Sequence, residues 1–293
     1  MQDSPRYGDQ CVRYYEWPIV NTSQNTDESI AHVADAFVSA RKKGQALNAY
    51  PGTLPASLNQ AYACQDLAIR QWADQIGGWK VGLIGKAFQK QFESARLVGP
   101  IFQSLIQASV KSGVNECPIF AGGFAAVEGE IVFKLADNAP NDKYEWSNVE
   151  ALDLVATAHA GIEIASSPLS TINDLGPAVT ASDFGNNFGL IVGPEIPGWK
   201  TRSLDEIACQ TLIEGVTVGQ KSASSIPGGP VASLMFALSI CARRGYPLRA
   251  GQYICTGAIT GVHTIVERQQ ACVRFTDIGD ISCRVVAASA VIK

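Results

Sequence analysis

An alternation of apolar and polar positions between residues 127 and 135 is the clearest pattern in the chain. It predicts a half-buried β-strand. Its apolar positions are Val127, Ile131, Phe133 and Leu135. Glu128 and Glu130 lie two residues apart in this strand, so both carboxylates point to the same face. Two like charges this close repel each other unless a cation lies between them, although a solvated strand face would also tolerate the pair. The spacing alone leaves both interpretations open.

Two amphipathic helices are predicted ahead of this strand. Apolar residues recur at helical spacing over residues 30–38 and again over residues 58–72. Ser57 and Gln60 form a capping box that marks the start of the second helix. Residues 1–25 show no periodicity, and we interpret them as an N-terminal arm.

The pattern changes at residue 78, where short apolar stretches bounded by glycine begin to predict strands. Residues 147–160 are predicted to be helical, and residues 271–286 are predicted to form a hairpin. We therefore predict an α+β fold with two parts. An arm and helical region spans residues 1–77, and a β-rich, mixed-sheet domain spans residues 78–293.

Two further charged residues lie in short apolar stretches. Glu163 is flanked by isoleucines, and a buried, unpaired carboxylate costs several kcal/mol or stays protonated. Lys80 is the only charged residue of residues 78–83, whose glycines would let a ligand approach the backbone closely. Together with Glu128 and Glu130, Glu163 can hold a hard divalent cation, and Lys80 can help that site accept an anion.

Composition excludes several classes of partner. The net charge of −4 predicts no nucleic-acid partner, and no apolar run approaches the roughly 18 residues of a membrane span. The eight cysteines include no C-x-x-C pair, which favours a reduced, cytoplasmic protein, and the start of the chain lacks the layout of a secretory signal. With three histidines and no paired cysteines, zinc is a poor fit, so a metal would have oxygen ligands.

Four short blocks occur in an order that resembles a known family. They are residues 78–83 (GWKVGL), 127–131 (VEGEI), 161–164 (GIEI) and 245–257 (GYPLRAGQYICTG). In this order they resemble the signature blocks of the fumarylacetoacetate hydrolase superfamily. The most similar branch is the 2-keto-4-pentenoate hydratase and 4-oxalocrotonate decarboxylase group, and the resemblance covers roughly residues 30–290.

The resemblance implies a fold, a site and a substrate class. It implies that Glu128, Glu130 and Glu163 bind Mg²⁺ or Mn²⁺ and that Lys80 is the catalytic residue of the substrate pocket. It also implies a fumarylacetoacetate hydrolase-like catalytic domain that assembles into a homo-oligomer. Members of the branch act on small 2-oxo or 2-hydroxydienoic acids of aromatic compound catabolism.

The chemistry expected from this resemblance is that of a metal-dependent lyase, with a 2-keto-4-pentenoate hydratase preferred. Hydration and decarboxylation both pass through a dienolate, so one site can serve either reaction. Lys80, close to a cation and partly desolvated, is expected to have a lowered pKa that suits proton transfer.

Three alternatives stay open. A 4-oxalocrotonate-type decarboxylase is favoured by Leu97, since decarboxylases tend to be apolar where related hydratases carry an aspartate. A hydrolase of carbon–carbon bonds would need His159 or His263 as its base. A metal- or ligand-binding relative without turnover is suggested by Leu97 and Gly229, which replace a family aspartate and a family histidine. Asp183 matches a family Ala-Asp-Asn element only in its aspartate.

Overall fold

The structure, a computed structural model, describes residues 24–288, so most of the predicted N-terminal arm lies outside the described residues. Its helices are α1 (Gln24–Lys43), α2 (Leu58–Gln71), α3 (Lys86–Phe92), α4 (Asn148–Asp153), α5 (Pro177–Ser182) and α6 (Gly229–Arg243). Its first strands are β1 (Ile76–Leu83), β2 (Arg96–Phe102), β3 (Ile106–Ala108), β4 (Asn115–Ile119), β5 (Phe124–Leu135), β6 (Val155–Ser167) and β7 (Asn187–Glu195). The remaining strands are β8 (Ala208–Ile213), β9 (Val216–Ser222), β10 (Tyr253–Cys255), β11 (His263–Thr264), β12 (Gln270–Phe275) and β13 (Gly279–Ala287).

Two mixed sheets form the body of the protein. The larger has the order β2-β1-β10-β5-β6-β7-β3, with β11 also paired to β5, and the smaller has the order β4-β13-β12-β8-β9. Most neighbours are antiparallel, but β1 with β10, β3 with β7 and β4 with β13 are parallel. The predicted α+β class, with helices followed by mixed sheets, is confirmed.

The two N-terminal helices form as the apolar spacing predicts. Ser57 caps α2, and its Oγ accepts a hydrogen bond from the backbone N–H of Gln60 at 3.3 Å. Buried residues of both helices share one apolar cluster with strand β2 and with the segment around α5, including Phe37, Ala68 and Phe102. The proposed division between residues 77 and 78 stays a prediction. Among residues 24–288, no helix is both long enough and apolar enough to span a membrane.

One secondary-structure prediction is wrong. The helix predicted for residues 147–160 ends at Asp153, and β6 begins at Val155, so His159 lies within a strand. Apolar residues at 149, 152 and 155 fit helical spacing, but pairing of β6 along nearly all of β5 outweighs that local preference.

Strand β2 approaches the segment before β7 so closely that position 99 requires a glycine. A Cβ on Gly99 would lie 2.0 Å from the carbonyl oxygen of Phe184, a backbone atom that cannot swing away. We therefore expect Gly99→Ala to lower the free energy of unfolding by about 3 kcal/mol, measured by urea denaturation.

The control for this substitution is Gly85→Ala. A Cβ at Gly85 would meet no heavy atom within 4 Å, and its φ of −55° suits alanine. We expect its effect on stability to be within about 0.5 kcal/mol. Equal effects of the two substitutions would show that the close approach at Gly99 does not contribute to the free energy of unfolding.

Candidate metal centre

Strands β5 and β6 bring the three predicted glutamates together. Glu128 lies directly opposite Glu163 in the antiparallel register, and Glu130 follows two residues along β5. One carboxylate oxygen from each side chain lies within 4.8 Å of the others. All three side chains are buried, with exposures of 6%, 0% and 0% for Glu128, Glu130 and Glu163. Burial excludes the interpretation of Glu128 and Glu130 as a solvated strand face.

The glycine between the two β5 glutamates explains why they share the other face. A Cβ on Gly129 would lie 2.7 Å from Val273 Cγ1 and 2.8 Å from Cys209 Sγ, both in the smaller sheet. The smaller sheet therefore packs directly on the backbone of β5 at this point. Because side chains alternate along a strand, Glu128 and Glu130 point away from that packed layer.

Hydrogen bonds satisfy only part of this carboxylate cluster. Glu130 Oε2 accepts a hydrogen bond from the backbone N–H of Gly257 at 2.7 Å, and Glu163 Oε1 accepts one from Asn187 Nδ2 at 3.0 Å. Glu130 Oε1 and Glu163 Oε2 are buried without a hydrogen-bond partner among the described residues. Buried acceptors without a donor are rare in folded proteins, and a divalent cation with oxygen ligands would pair with both.

The electrostatics of the cluster disfavour three charged carboxylates on their own. Burial raises the pKa of Glu128 to about 7, although Lys80 opposes the rise. Burial, Glu163 and Glu128 raise the pKa of Glu130 well above its ordinary value. The carboxylates therefore fit a bound cation, which would stabilise their charged forms.

Lys80 lies beside the three carboxylates, as predicted. Its side chain is buried, and its Nζ is 3.4 Å from Glu163 Oε1. Burial by itself would lower the pKa of Lys80, but Glu163, Glu128 and Glu130 together hold it above its ordinary value. The lowered pKa expected beside a bound cation stays a prediction, because the raised value reflects the three carboxylates alone. Lys80 is therefore a buried ammonium.

A cavity of about 470 Å³ opens at the carboxylate cluster. Lys80 and Glu128 form its polar end, and Asn186 lies in its wall. Leu97 and Phe88 are among its apolar lining residues. A groove of about 500 Å³ along β8 and the β12–β13 turn contains none of the three glutamates and is unrelated to this site.

Four other residues considered from the sequence lie outside this cavity. His159 contacts the Gly193 carbonyl and Thr157, and His263 contacts Thr260, and neither histidine lines the cavity. Gly229 lies against Asp205, at the start of α6. Asp183 is buried in an ion pair with Arg41.

Two asparagines of the site were missed by the sequence analysis. Asn187 contacts Glu163, and Asn186 lines the cavity. Their signal in the sequence is an asparagine pair that directly follows Gly185 and precedes the apolar stretch of residues 188–192. Glycine and asparagine are the residues that most readily adopt the left-handed backbone found here.

Comparisons with known proteins agree with the geometry. No protein-family model matches the chain. Over 241 residues it is 25% identical to 2-keto-4-pentenoate hydratase of Burkholderia vietnamiensis (strain G4 / LMG 22486), which covers 80% of this chain and 88% of the relative.

Solved structures with the same fold extend this comparison. Two are 4-oxalocrotonate decarboxylase from Pseudomonas putida G7, complexed with calcium and acetate or with magnesium and adipate. Each has a TM-score of 0.72 and 20% identity, covering 88% of this chain and 98% of that one. Fumarylpyruvate hydrolase from Pseudomonas aeruginosa, in complex with Mn²⁺ and pyruvate, has a TM-score of 0.52 and 16% identity. This match covers 72% of the present chain and 89% of the hydrolase.

The chain shares its fold with these solved structures, and the resemblance to the fumarylacetoacetate hydrolase superfamily found in the sequence is confirmed. The proteins that the chain resembles here are a 2-keto-4-pentenoate hydratase in sequence and a 4-oxalocrotonate decarboxylase in fold.

Proposed function

We propose that this protein is a divalent-metal-dependent lyase acting on a small 2-oxo or 2-hydroxydienoic acid, with 2-keto-4-pentenoate hydratase as the preferred activity. The observation that carries the proposal is the cluster of three buried carboxylates beside a buried lysine at the polar end of a cavity. The similarity to a 2-keto-4-pentenoate hydratase supports the reaction. Solved structures of the same fold, complexed with calcium, magnesium or Mn²⁺, support the metal.

Glu128, Glu130 and Glu163 would hold the ion, Mg²⁺ or Mn²⁺. When bound, the ion supplies a Lewis acid that polarises the oxygen atoms of a 2-oxo acid. Three carboxylates, one divalent ion and the Lys80 ammonium sum to a charge of about zero, so the site can accept an anionic substrate without net repulsion. Lys80 Nζ would attract the substrate carboxylate and is positioned to donate a proton during the reaction.

The cavity favours a substrate with a single carboxylate. Among the residues that line it, all within the described part of the chain, Lys80 is the only lysine or arginine. Leu97, Phe88 and Val262 supply apolar surface, which suits a short hydrocarbon chain. 2-Keto-4-pentenoate has one carboxylate and an apolar end, whereas 4-oxalocrotonate carries a second carboxylate that would meet no second cation.

A decarboxylase is the second candidate, and Leu97 is the observation that favours it. Leu97 lines the cavity and is buried, and a Cβ on Gly82 would lie 3.3 Å from Leu97 Cδ1 and 3.5 Å from Lys80 Nζ. An apolar side chain therefore lies next to the reacting lysine, where related hydratases carry an aspartate. The hydrolase alternative loses support, because neither His159 nor His263 lines the cavity. Homo-oligomeric assembly and a cytoplasmic location stay predictions.

One assay tests the proposal. We expect the purified protein with Mg²⁺ or Mn²⁺ to consume 2-hydroxypenta-2,4-dienoate, and the loss of the substrate's ultraviolet absorbance measures the rate. EDTA should abolish the reaction. The same protein receives 4-oxalocrotonate and an acylpyruvate in parallel. Faster turnover of 4-oxalocrotonate would assign the decarboxylase instead. Turnover of none of the three acids with either metal would refute the enzyme and leave a ligand-binding protein.

A further inference from the structure

The segment between α5 and β7 has a backbone that amino acids other than glycine rarely adopt. Phe184, Gly185 and Asn186 have φ angles of +51°, +64° and +66°, which makes a single left-handed turn of three residues. Only Gly185 adopts this conformation without a steric cost. Strained backbone of this kind persists where surrounding contacts enforce it, and it clusters at ligand-binding sites.

Arg41 of α1 holds both ends of this turn. Its Nε and Nη2 donate hydrogen bonds to the two carboxylate oxygens of Asp183, at 2.5 and 2.8 Å, and its Nη1 donates one to the carbonyl oxygen of Asn187 at 3.1 Å. The guanidinium also lies 5.0 Å from the ring centroid of Phe184. A fully buried arginine therefore fixes the residue before the turn, the residue after it and one side chain within it.

The turn places Asn186 at the polar end of the cavity. A Cβ on Gly185 would lie 3.1 Å from Lys80 Cδ, and the side chain of Asn187 donates to Glu163. Asn186 is thus flanked on both sides by residues that contact the lysine and carboxylate cluster, and it lines the cavity itself.

The two neighbouring asparagines differ in how their side-chain amides are used. Asn187 Nδ2 donates hydrogen bonds to Glu163 Oε1 and to the carbonyl oxygen of Gly189, and Asn187 Oδ1 accepts one from the backbone N–H of Gly189. Asn186 is only 4% exposed, yet its Oδ1 has no hydrogen-bond partner among the described residues. A buried, unpaired amide oxygen in a cavity wall, held there by a strained turn, belongs to a side chain arranged for a ligand.

We propose that Asn186 contacts the substrate and that its carboxamide hydrogen-bonds the oxygen-bearing head of the bound acid. This inference rests on the proposed function, because it assumes that an oxo acid occupies the cavity. Asn186 Nδ2 can donate to the carboxylate or to the oxo oxygen of the acid, and Oδ1 can accept from the hydroxyl group of the 2-hydroxydienoic form. Arg41 and the left-handed turn keep the carboxamide in place before the substrate arrives.

The test uses Asn186→Gly, because glycine keeps a φ of +66° without strain and removes only the side chain. The ligand is 2-oxopentanoate, a saturated acid that cannot be hydrated, titrated calorimetrically into the full-length protein with Mg²⁺. We expect its Kd to rise about tenfold, as loss of a hydrogen bond to a charged ligand predicts. The affinity for Mg²⁺ alone should change less than about twofold, since Asn186 Oδ1 bonds none of the three glutamates, and the melting temperature should not fall.

Asp277→Gly is the matched control, because it replaces another left-handed residue, with a φ of +60°, in the exposed β12–β13 turn. Its 2-oxopentanoate affinity should equal that of the wild type. A lower melting temperature for Asn186→Gly with unchanged 2-oxopentanoate affinity would show a structural role and overturn the inference alone. If the wild-type protein with Mg²⁺ binds no 2-oxopentanoate, the proposed function and the inference fall together.

Discussion

Glu130→Gln is expected to stabilise the metal-free protein and, in the same molecule, to abolish its response to metal. Glu130 is fully buried, one of its carboxylate oxygens has no partner, and burial with two neighbouring carboxylates raises its pKa well above 4.5. At neutral pH the folded protein must either bury this charge or take up a proton. A neutral glutamine of the same shape removes that cost.

The same substitution removes a proposed ligand of the ion. We expect Mg²⁺ and Mn²⁺ affinity to fall by more than about 100-fold and metal-dependent turnover to be lost. The measurement is the melting temperature in EDTA and in millimolar Mg²⁺. The wild type should gain stability with Mg²⁺, whereas the variant should be more stable in EDTA and gain nothing from the metal.

The stability of the metal-free protein is expected to fall as pH rises above the ordinary pKa of a carboxyl group. A carboxyl whose folded-state pKa is raised contributes stability that is complete below the ordinary pKa of 4.5 and is lost as pH rises through the raised value. Metal-free wild type should therefore lose more stability than Glu130→Gln between pH 5 and 8. Glu116→Gln, at an exposed position of β4, is the control and should change none of these quantities. A variant that is less stable in EDTA and still responds to Mg²⁺ would refute the metal centre.

Arg41→Met is expected to have the largest effect on stability, lowering the free energy of unfolding by about 3–5 kcal/mol. It breaks a bidentate ion pair with Asp183 in which both side chains are at most 1% exposed, and it leaves the carboxylate buried without its cation. Hydrogen bonds from Arg41 to the carbonyl oxygens of Ser166 and Asn187 are lost as well. Urea denaturation measures the change.

Arg274→Met provides the matched comparison on the same chain. Arg274 pairs with Asp280 at 3.0 Å, but both side chains are 53% exposed, so the pair is screened by water. Its loss should cost less than about 1 kcal/mol. Similar losses for the two arginine variants would show that the buried pair adds nothing beyond a surface ion pair.

The parts of the site that could be predicted from sequence are those with a local signal. Alternation along β5 placed Glu128 and Glu130 on one face, and the isoleucines beside Glu163 marked a buried carboxylate. The resemblance to the family then indicated that these stretches and Lys80 belong to one site. The N-cap at Ser57 and the hairpin of β12 and β13 are confirmed for the same reason, because each is set by neighbouring residues, although the Gln60 side chain bonds the Ala56 N–H and so does not complete the capping box.

The rest depends on contacts between residues far apart in the chain. Nothing near Arg41 indicates that it pairs with Asp183, 142 positions later. The raised pKa of Lys80 depends on how many carboxylates surround it, and spacing along the chain does not give that number. The strand at residues 155–160 resembled a helix because only its partner β5 selects the extended form.

The position of β1 in the larger sheet has a consequence for the order of folding. Glu128 and Glu163 meet across β5 and β6, strands that are close in sequence, whereas Lys80 joins the sheet through a parallel pairing of β1 with β10 in which it lies opposite Cys255. Long-range parallel pairings form slowly, because a long loop must close first. We therefore expect the like-charged carboxylates to meet before their lysine joins them. Divalent ions or mild acid, which neutralise that charge early, should speed refolding of this chain.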